Sequence, residues 1–187
     1  MKEKYNAQIG VTLAEMLIVV AILSLCAIIA IPSADSIAPA RADAAASEIA
    51  RALRFAQREA LRTQQWHQVW VDKTNQTLRV YRLLPVGISE DTANPTMHPV
   101  DKRKYDISFK DGQTATITAV SFNYDKGTSG ANFVSFGPDG SPGEVTSSKK
   151  KEEVKDLTTG RITIGYGRQQ RFVDVSPVVG RVSISAN

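Results

Sequence analysis

Gly10-Val11-Thr12-Leu13-Ala14-Glu15, followed by MLIVVAILSLCAIIAI from Met16 to Ile31, is the stretch that decides how this chain is built. From Val11 to Ile31 there are 21 residues, about 31 Å of helix at roughly 1.5 Å per residue. That length matches the hydrocarbon thickness of a bilayer. Lys2 and Lys4 precede the run, the basic flank of a membrane anchor. Small residues follow it, so a secretory signal peptide is one alternative, but its apolar region is ordinarily about 7–15 residues and Pro32-Ser33 makes a poor small-x-small cleavage site. An uncleaved signal anchor is another alternative. Glu15 separates these readings. A carboxylate in a membrane helix costs roughly 2.5–3.5 kcal/mol at the centre and less near the interface, so it asks for a partner. Cleavage after Gly10 would supply one: a charged amine at Val11, about one helical turn before Glu15.

These residues resemble the processing site of class III signal sequences: a short hydrophilic leader ending in Gly, then an apolar helix with Glu as its fifth residue. The resemblance implies that a prepilin peptidase cuts between Gly10 and Val11 and N-methylates Val11, and that Glu15 pairs with the amine of a neighbouring subunit during assembly. Two opposite charges in a low dielectric offset part of each other's desolvation cost, so such a pair can act as a register device. The family's first mature residue is usually Phe, whereas Val11 stands here.

Past the apolar run, Pro32 and Pro39 each lack a backbone donor, which predicts a kink or local melting between Ile31 and Ala40. The segment ARADAAASEIARALRFAQREALRTQQ is rich in helix formers, and Ala45, Ile49, Leu53, Ala56 and Ala60 form a stripe that should face a sheet. Arg51, Arg54, Arg58 and Arg62 fall on the opposite face, with Glu48 and Glu59 to one side, as on a solvated helix. Phe55 lies beside that basic face, open either to another subunit or to a loop of its own domain. A helix from Val11 to Arg62 would be about 78 Å long, more than a domain of this size can bury.

After residue 63 the chain turns to short β-branched and aromatic runs. Expected strands are Gln65–Val71, Thr77–Leu83, Tyr105–Phe109, Thr114–Phe122, Asn132–Phe136, Arg161–Tyr166, Gln170–Val175 and Arg181–Ser185, the first two joined by an Asp72–Gln76 turn. Leu84 to Lys104, with three prolines, reads as a long loop, and Lys149–Glu153 as a second, solvated one. The expected fold class is α+β: a long N-terminal, transmembrane α-helix packed on antiparallel β-sheets.

Phe136-Gly137-Pro138-Asp139-Gly140-Ser141, then RITIG from Arg161 and RFVDVSPVVGRVSIS from Arg171, resemble the C-terminal half of the GspH/FimT family of minor pilins and pseudopilins. That resemblance implies a pilin-like fold divided into a leader (residues 1–10), an N-terminal helix (11–63) and a periplasmic β-rich domain (64–187). It implies a single-pass protein of the bacterial inner membrane, with prepilin peptidase and other pilin or pseudopilin subunits as partners. Conformation alone would also account for a Pro-Asp-Gly turn and for Gly180 at positive φ.

Nothing in the sequence points to catalysis. His67 and His98 have no cysteine or carboxylate cluster at metal-ligand spacing, and His67 reads as a sheet-surface residue. Asp139 and Glu144 are too few for a calcium site, so no metal and no cofactor is expected. Cys26, the single cysteine, lies in the apolar run and forms no intramolecular disulfide. The net charge of +4 is mild and excludes little. Arg161, Arg168, Arg171 and Arg181 crowd the last 27 residues against Asp174, which makes DNA the alternative partner. FimT-like minor pilins of competence systems bind DNA through Gly-Arg-x-Arg or Gly-Arg-x-Lys. Here Gly180-Arg181-Val182 ends in Ser183, and Gly167–Arg171 is one residue too long.

Overall fold

The computed structural model describes residues 12–30, 34–84, 89–110, 115–148 and 151–187. They fall into two compact units, Met1–Ile37 and Ala38–Asn187. In the first, Leu13–Ala30 forms α1, with neither Gly nor Pro inside it. A second helix, α2, spans Ala34–Thr63 and contains Pro39. Of the kink or melting expected between Ile31 and Ala40, the part from Ala34 onward is helical. Pro39 sits near the start of α2, where the missing donor would have met the Asp35 carbonyl. Residues 31–33 lie outside the described residues. The C-terminus of α2 is closed by Gln64 at φ 54, whose side chain donates to the Leu61 carbonyl at 2.8 Å. A left-handed residue there is a common helix stop.

From Ala38 onward α2 packs on an antiparallel sheet, and the predicted stripe is the contact. Ala45, Ile49, Leu53, Ala56 and Ala60 are all buried, joined by Ala42, Ala46 and Ala52. So many alanines let the helix backbone approach the sheet closely, while Ile49 and Leu53 fill the space between strands. Across from them stand Val69, Leu78, Ile117, Phe122, Phe136, Ile162 and Val173. Arg51, Arg54, Arg58 and Arg62 are exposed, as expected of the opposite face. Phe55 is half-buried and stacks on Tyr105 at 4.9 Å between ring centres, so a loop of its own domain covers it.

The strands are β1 (His67–Asp72), β2 (Thr77–Arg82), β3 (Asp106–Ser108), β4 (Thr116–Tyr124), β5 (Phe133–Phe136), β6 (Pro142–Ser148), β7 (Lys151–Tyr166), β8 (Gln169–Val175) and β9 (Val182–Ala186). Their order is β3-β2-β1-β5-β6-β7-β8-β9, with β4 paired to β7. β7 organises the sheet. Its first part, Lys151–Asp156, pairs with β6; its second part holds β4 on one side and β8 on the other.

Two expectations are corrected here. Lys151–Glu153 begin β7 instead of lying in a loop, while Lys149 and Lys150 lie outside the described residues. β6 was not foreseen either. Beyond Gly143 these two strands make a ribbon without further partners; Glu144 and Val145 are buried while Glu153 and Val154 are exposed, and no apolar alternation marks the ribbon. Glu144 and Lys155 face each other across it. The second correction is His67, which is 2 % exposed and not a surface residue. Its Nδ1 lies 3.1 Å from the Gln65 carbonyl.

Burial pushes the His67 pKa down, against the opposing pull of the Gln65 carbonyl and Glu59; Arg82 and Arg62 push it lower still. The unfolded chain, at about 6.5, therefore takes up this proton first as pH falls. His67 leaves stability intact above about pH 6.5 and erodes it below, until the folded form also titrates. Asp91 acts at lower pH. Hydrogen bonds from Arg82 and Asn94 hold its carboxyl below the ordinary range, so its contribution is present above about pH 3.9 and lost as pH falls through the folded value. Urea midpoints are expected to fall between pH 7 and 5 for the natural chain and to stay flatter in His67→Gln. Equal slopes in the two proteins would contradict this assignment.

Candidate functional site

Gly10 and Val11 lie outside the described residues, and Thr12 is the first described position. Thr12 precedes the first helical residue, and its Oγ1 accepts from the Glu15 N–H at 3.3 Å. Its carbonyl accepts from Glu15 and Met16 at 3.1 and 3.2 Å. Thr12 is thus the cap of α1 and Glu15 its third residue, the Thr-x-x-Glu spacing of a capping box. A carboxylate in the first turn also complements the helix dipole. The Thr-x-x-Glu spacing is legible in the sequence, and it gives Glu15 a local role beside the pairing expected of it.

Around Glu15, α1 offers no polar face. Leu13, Met16, Leu17, Ile18, Val19, Val20, Ile22, Leu23 and Leu25 are each at least 46 % exposed. A helix apolar on all sides is stable in water only when other apolar matter covers it. Among the described residues no helix is long and apolar enough to cross a membrane. The 18 residues of α1 give about 27 Å, a little short of the roughly 30 Å hydrocarbon layer. Val11 and Ile31, which complete the apolar run in the sequence, lie outside the described residues.

The four C-terminal arginines do not form one cationic surface. Arg161 on β7 pairs with Asp174 on β8 at 2.6 Å and lies over the Phe172 ring at 4.8 Å. Arg171 pairs instead with Asp43 of α2. Asp174 and Arg171 are an odd number of residues apart on one strand, so they point to opposite faces of the sheet. The two arginines are therefore divided between the faces, and each is neutralised. Arg168 sits in the two-residue β7–β8 turn beside Gly167 at φ 59, and Arg181 just before β9; both are exposed. Asp43 was not foreseen as a partner, because 128 residues separate it from Arg171.

Of the two carboxylates considered for calcium, Glu144 on β6 holds the loop at Thr128 and Asp139 holds its own turn. Glu144 accepts from the Thr128 N–H at 2.8 Å and its hydroxyl at 2.6 Å. Asp139 accepts from the Ser141 N–H at 3.0 Å and its hydroxyl at 2.6 Å. Among the described residues no group of three or more His, Cys, Asp or Glu could hold a metal ion. A cleft of about 360 Å³ lies between the end of α2 and the 94–102 loop, lined by Glu59, Arg62, His67, Thr96 and Met97 among others.

Residues 5–31 match the prokaryotic N-terminal methylation motif. Residues 45–178, well over half of the chain, match the model of the type II transport protein GspH. The chain belongs to the GspH family. The family model is that of a type II transport protein, and the N-terminal match is a methylation motif. The chain's expected family and its α+β, helix-on-antiparallel-sheet class are thereby established. Solved structures similar to this GspH-family chain include the minor pseudopilin EpsH from the type 2 secretion system of Vibrio cholerae. That protein is 17 % identical, with 78 % of this chain and 97 % of that one covered at a TM-score of 0.45. The type IV minor pilin FimU of Pseudomonas aeruginosa is 16 % identical, with 78 % and 92 % covered at a TM-score of 0.44. No curated protein matches the chain.

Proposed function

We propose that this GspH-family chain is a minor pseudopilin of a type II secretion pseudopilus or the corresponding minor subunit of a type IV pilus. It is made with a leader, residues 1–10, that a prepilin peptidase removes after Gly10 before methylating the Val11 amine. The apolar helix first holds the protein in the bacterial inner membrane as a single pass, with residues 64–187 in the periplasm. It then enters the filament core, where Glu15 pairs with the Val11 amine of a neighbouring subunit. The observation that carries this reading is Glu15 itself, a lone carboxylate in the first turn of a helix whose other exposed side chains are overwhelmingly apolar. The methylation motif over residues 5–31 supports it. The protein works by assembly, with no catalytic step.

Glu15→Ala tests the pairing. Thr12 still caps the helix, so leader removal is expected to proceed while incorporation into sheared filaments falls at least about tenfold, the equivalent of roughly 1.4 kcal/mol. Glu15→Asp, which keeps the charge on a shorter arm, is expected to fall between the two. Incorporation of Glu15→Ala at the natural level would refute the pairing role.

A further inference from the structure

Two turns lie side by side along the C-terminal half of α2. The first, Gly137–Ser141, is closed by the Gly137 N–H donating to the Ser141 carbonyl at 2.9 Å. The second, Ser176-Pro177-Val178-Val179-Gly180, joins β8 to β9. The Gln57 side-chain amide donates to both, to the Gly140 carbonyl at 2.8 Å and the Val179 carbonyl at 2.9 Å. Gly180 permits this seating. It has φ 62, and a Cβ there would stand 2.8 Å from Gln57 Nε2 and 3.1 Å from the Gly140 carbonyl oxygen.

The second turn is strained at its tip. The Val179 N–H donates to the Pro177 carbonyl, two residues back, at 2.7 Å, and Val178 between them has φ 66. A γ-turn of this sign is rare and unfavourable, and a β-branched side chain is among the least tolerant of positive φ. Burial does not repay the strain, since Val178 is 76 % and Val179 65 % exposed. Backbone strain that keeps two valines in water is the pattern of a contact surface.

The adjoining helix face supplies the charge. Arg54, Gln57, Arg58 and Leu61 fall on one side of α2 by their spacing, and Leu61 is 45 % exposed. Arg51 and Arg62 are paired with Glu48 and Glu59. Arg54 and Arg58 are not: they donate to the Val182 and Arg54 carbonyls at 3.0 and 3.3 Å, and among the described residues neither has a carboxylate in ion-pair range. Two copies of this chain meeting patch to patch would bring four guanidinium groups together, so a symmetric pair is disfavoured and the fitting surface is one that brings carboxylates to the patch.

We propose that Val178, Val179 and Leu61, rimmed by Arg54 and Arg58, dock a different subunit of the same filament through a surface with an apolar centre and a carboxylate rim. This rests on the reading of the chain as a filament subunit. The test uses the full chain, co-expressed with its peptidase and the pilin-family subunits of its own assembly, carrying a photo-crosslinking amino acid in place of Val179 or, as control, Lys73. Peptides crosslinked from position 179 are expected to come from another pilin-family subunit, with Asp or Glu within a few residues, and to be absent from position 73. Arg54→Glu combined with Arg58→Glu is expected to cut the yield at least about tenfold, whereas Arg54→Lys combined with Arg58→Lys keeps most of it. Val178→Gly is expected to raise the melting temperature while lowering the yield, because Gly relieves the backbone and removes the contact.

Crosslinking to a second copy, equal yield after charge reversal, or a lower melting temperature in Val178→Gly would each overturn the docking surface. So would the absence of any crosslink while leader removal and incorporation remain intact, and that result would leave the subunit reading standing. Failure of leader removal and incorporation would defeat both.

Discussion

Phe122→Ala is expected to destabilise the unit Ala38–Asn187 by about 3–5 kcal/mol, a large share of the roughly 5–15 kcal/mol a domain of this kind possesses. Phe122 is fully buried in β4 and is one of the largest side chains in the core. It lies over Gly160, its partner in the register between β4 and β7. A Cβ on Gly160 would stand 2.7 and 2.9 Å from the Phe122 ring. The glycine and the ring therefore occupy one space between them. Gly160→Ala alone should cost about 1–3 kcal/mol through overpacking. The double substitution is expected to cost less than the sum, because the added methyl enters the space the ring leaves. Denaturant midpoints of the four proteins check this; additivity within about 0.3–0.5 kcal/mol would show that the two sites do not share that space.

Leu53→Ala is the second large effect, expected at about 2–5 kcal/mol. Leu53 lies at the middle of the α2 stripe and is fully buried, flanked by alanines that are too small to close a cavity by repacking. Its neighbours in sequence set the contrast. Arg51 is exposed and paired with Glu48 within its own helix, so Arg51→Ala should change stability by no more than about 0.5 kcal/mol. Ala56 is fully buried, so Ala56→Leu is expected to destabilise by about 1–3 kcal/mol or more by forcing the helix off the sheet. Three different outcomes from one helix follow from a single face assignment. Comparable effects at Leu53 and Arg51 would contradict it.

The helix stripe and most strands were legible in the sequence because each carries a period: four-residue spacing from Ala45 to Ala60, and β-branched runs such as Arg161–Tyr166 over a buried face. What escaped had no such signal. β6 and the start of β7 form a two-stranded ribbon without an apolar alternation, and Lys-Lys-Lys-Glu-Glu looks the same in a loop as in a strand. Gly160 ended the expected strand at Arg161, although in the structure the glycine is there to admit Phe122. His67 was placed on the surface because polarity alone was weighed, and burial depends on α2 and the 94–102 loop folding over it.

At the candidate site, the Gly10-to-Glu15 motif needed no tertiary information, and the family match over residues 45–178 agrees with the class it suggested. The C-terminal arginines did need it. Sequence proximity grouped Arg161 with Arg171, but strand alternation sets them on opposite faces, and Asp43 reaches Arg171 from a helix 128 residues away. The strain at Val178 was equally invisible, since Ser-Pro-Val-Val-Gly is compatible with several turns and only the observed φ selects the γ-turn.

The intact mass and N-terminal sequence of the protein after co-expression with a prepilin peptidase test the central claim most directly. The account predicts loss of residues 1–10 and one added methyl group on a new N-terminal Val11, both abolished by Gly10→Val. An unchanged mass with active peptidase, or cleavage beyond Ile31, would contradict it.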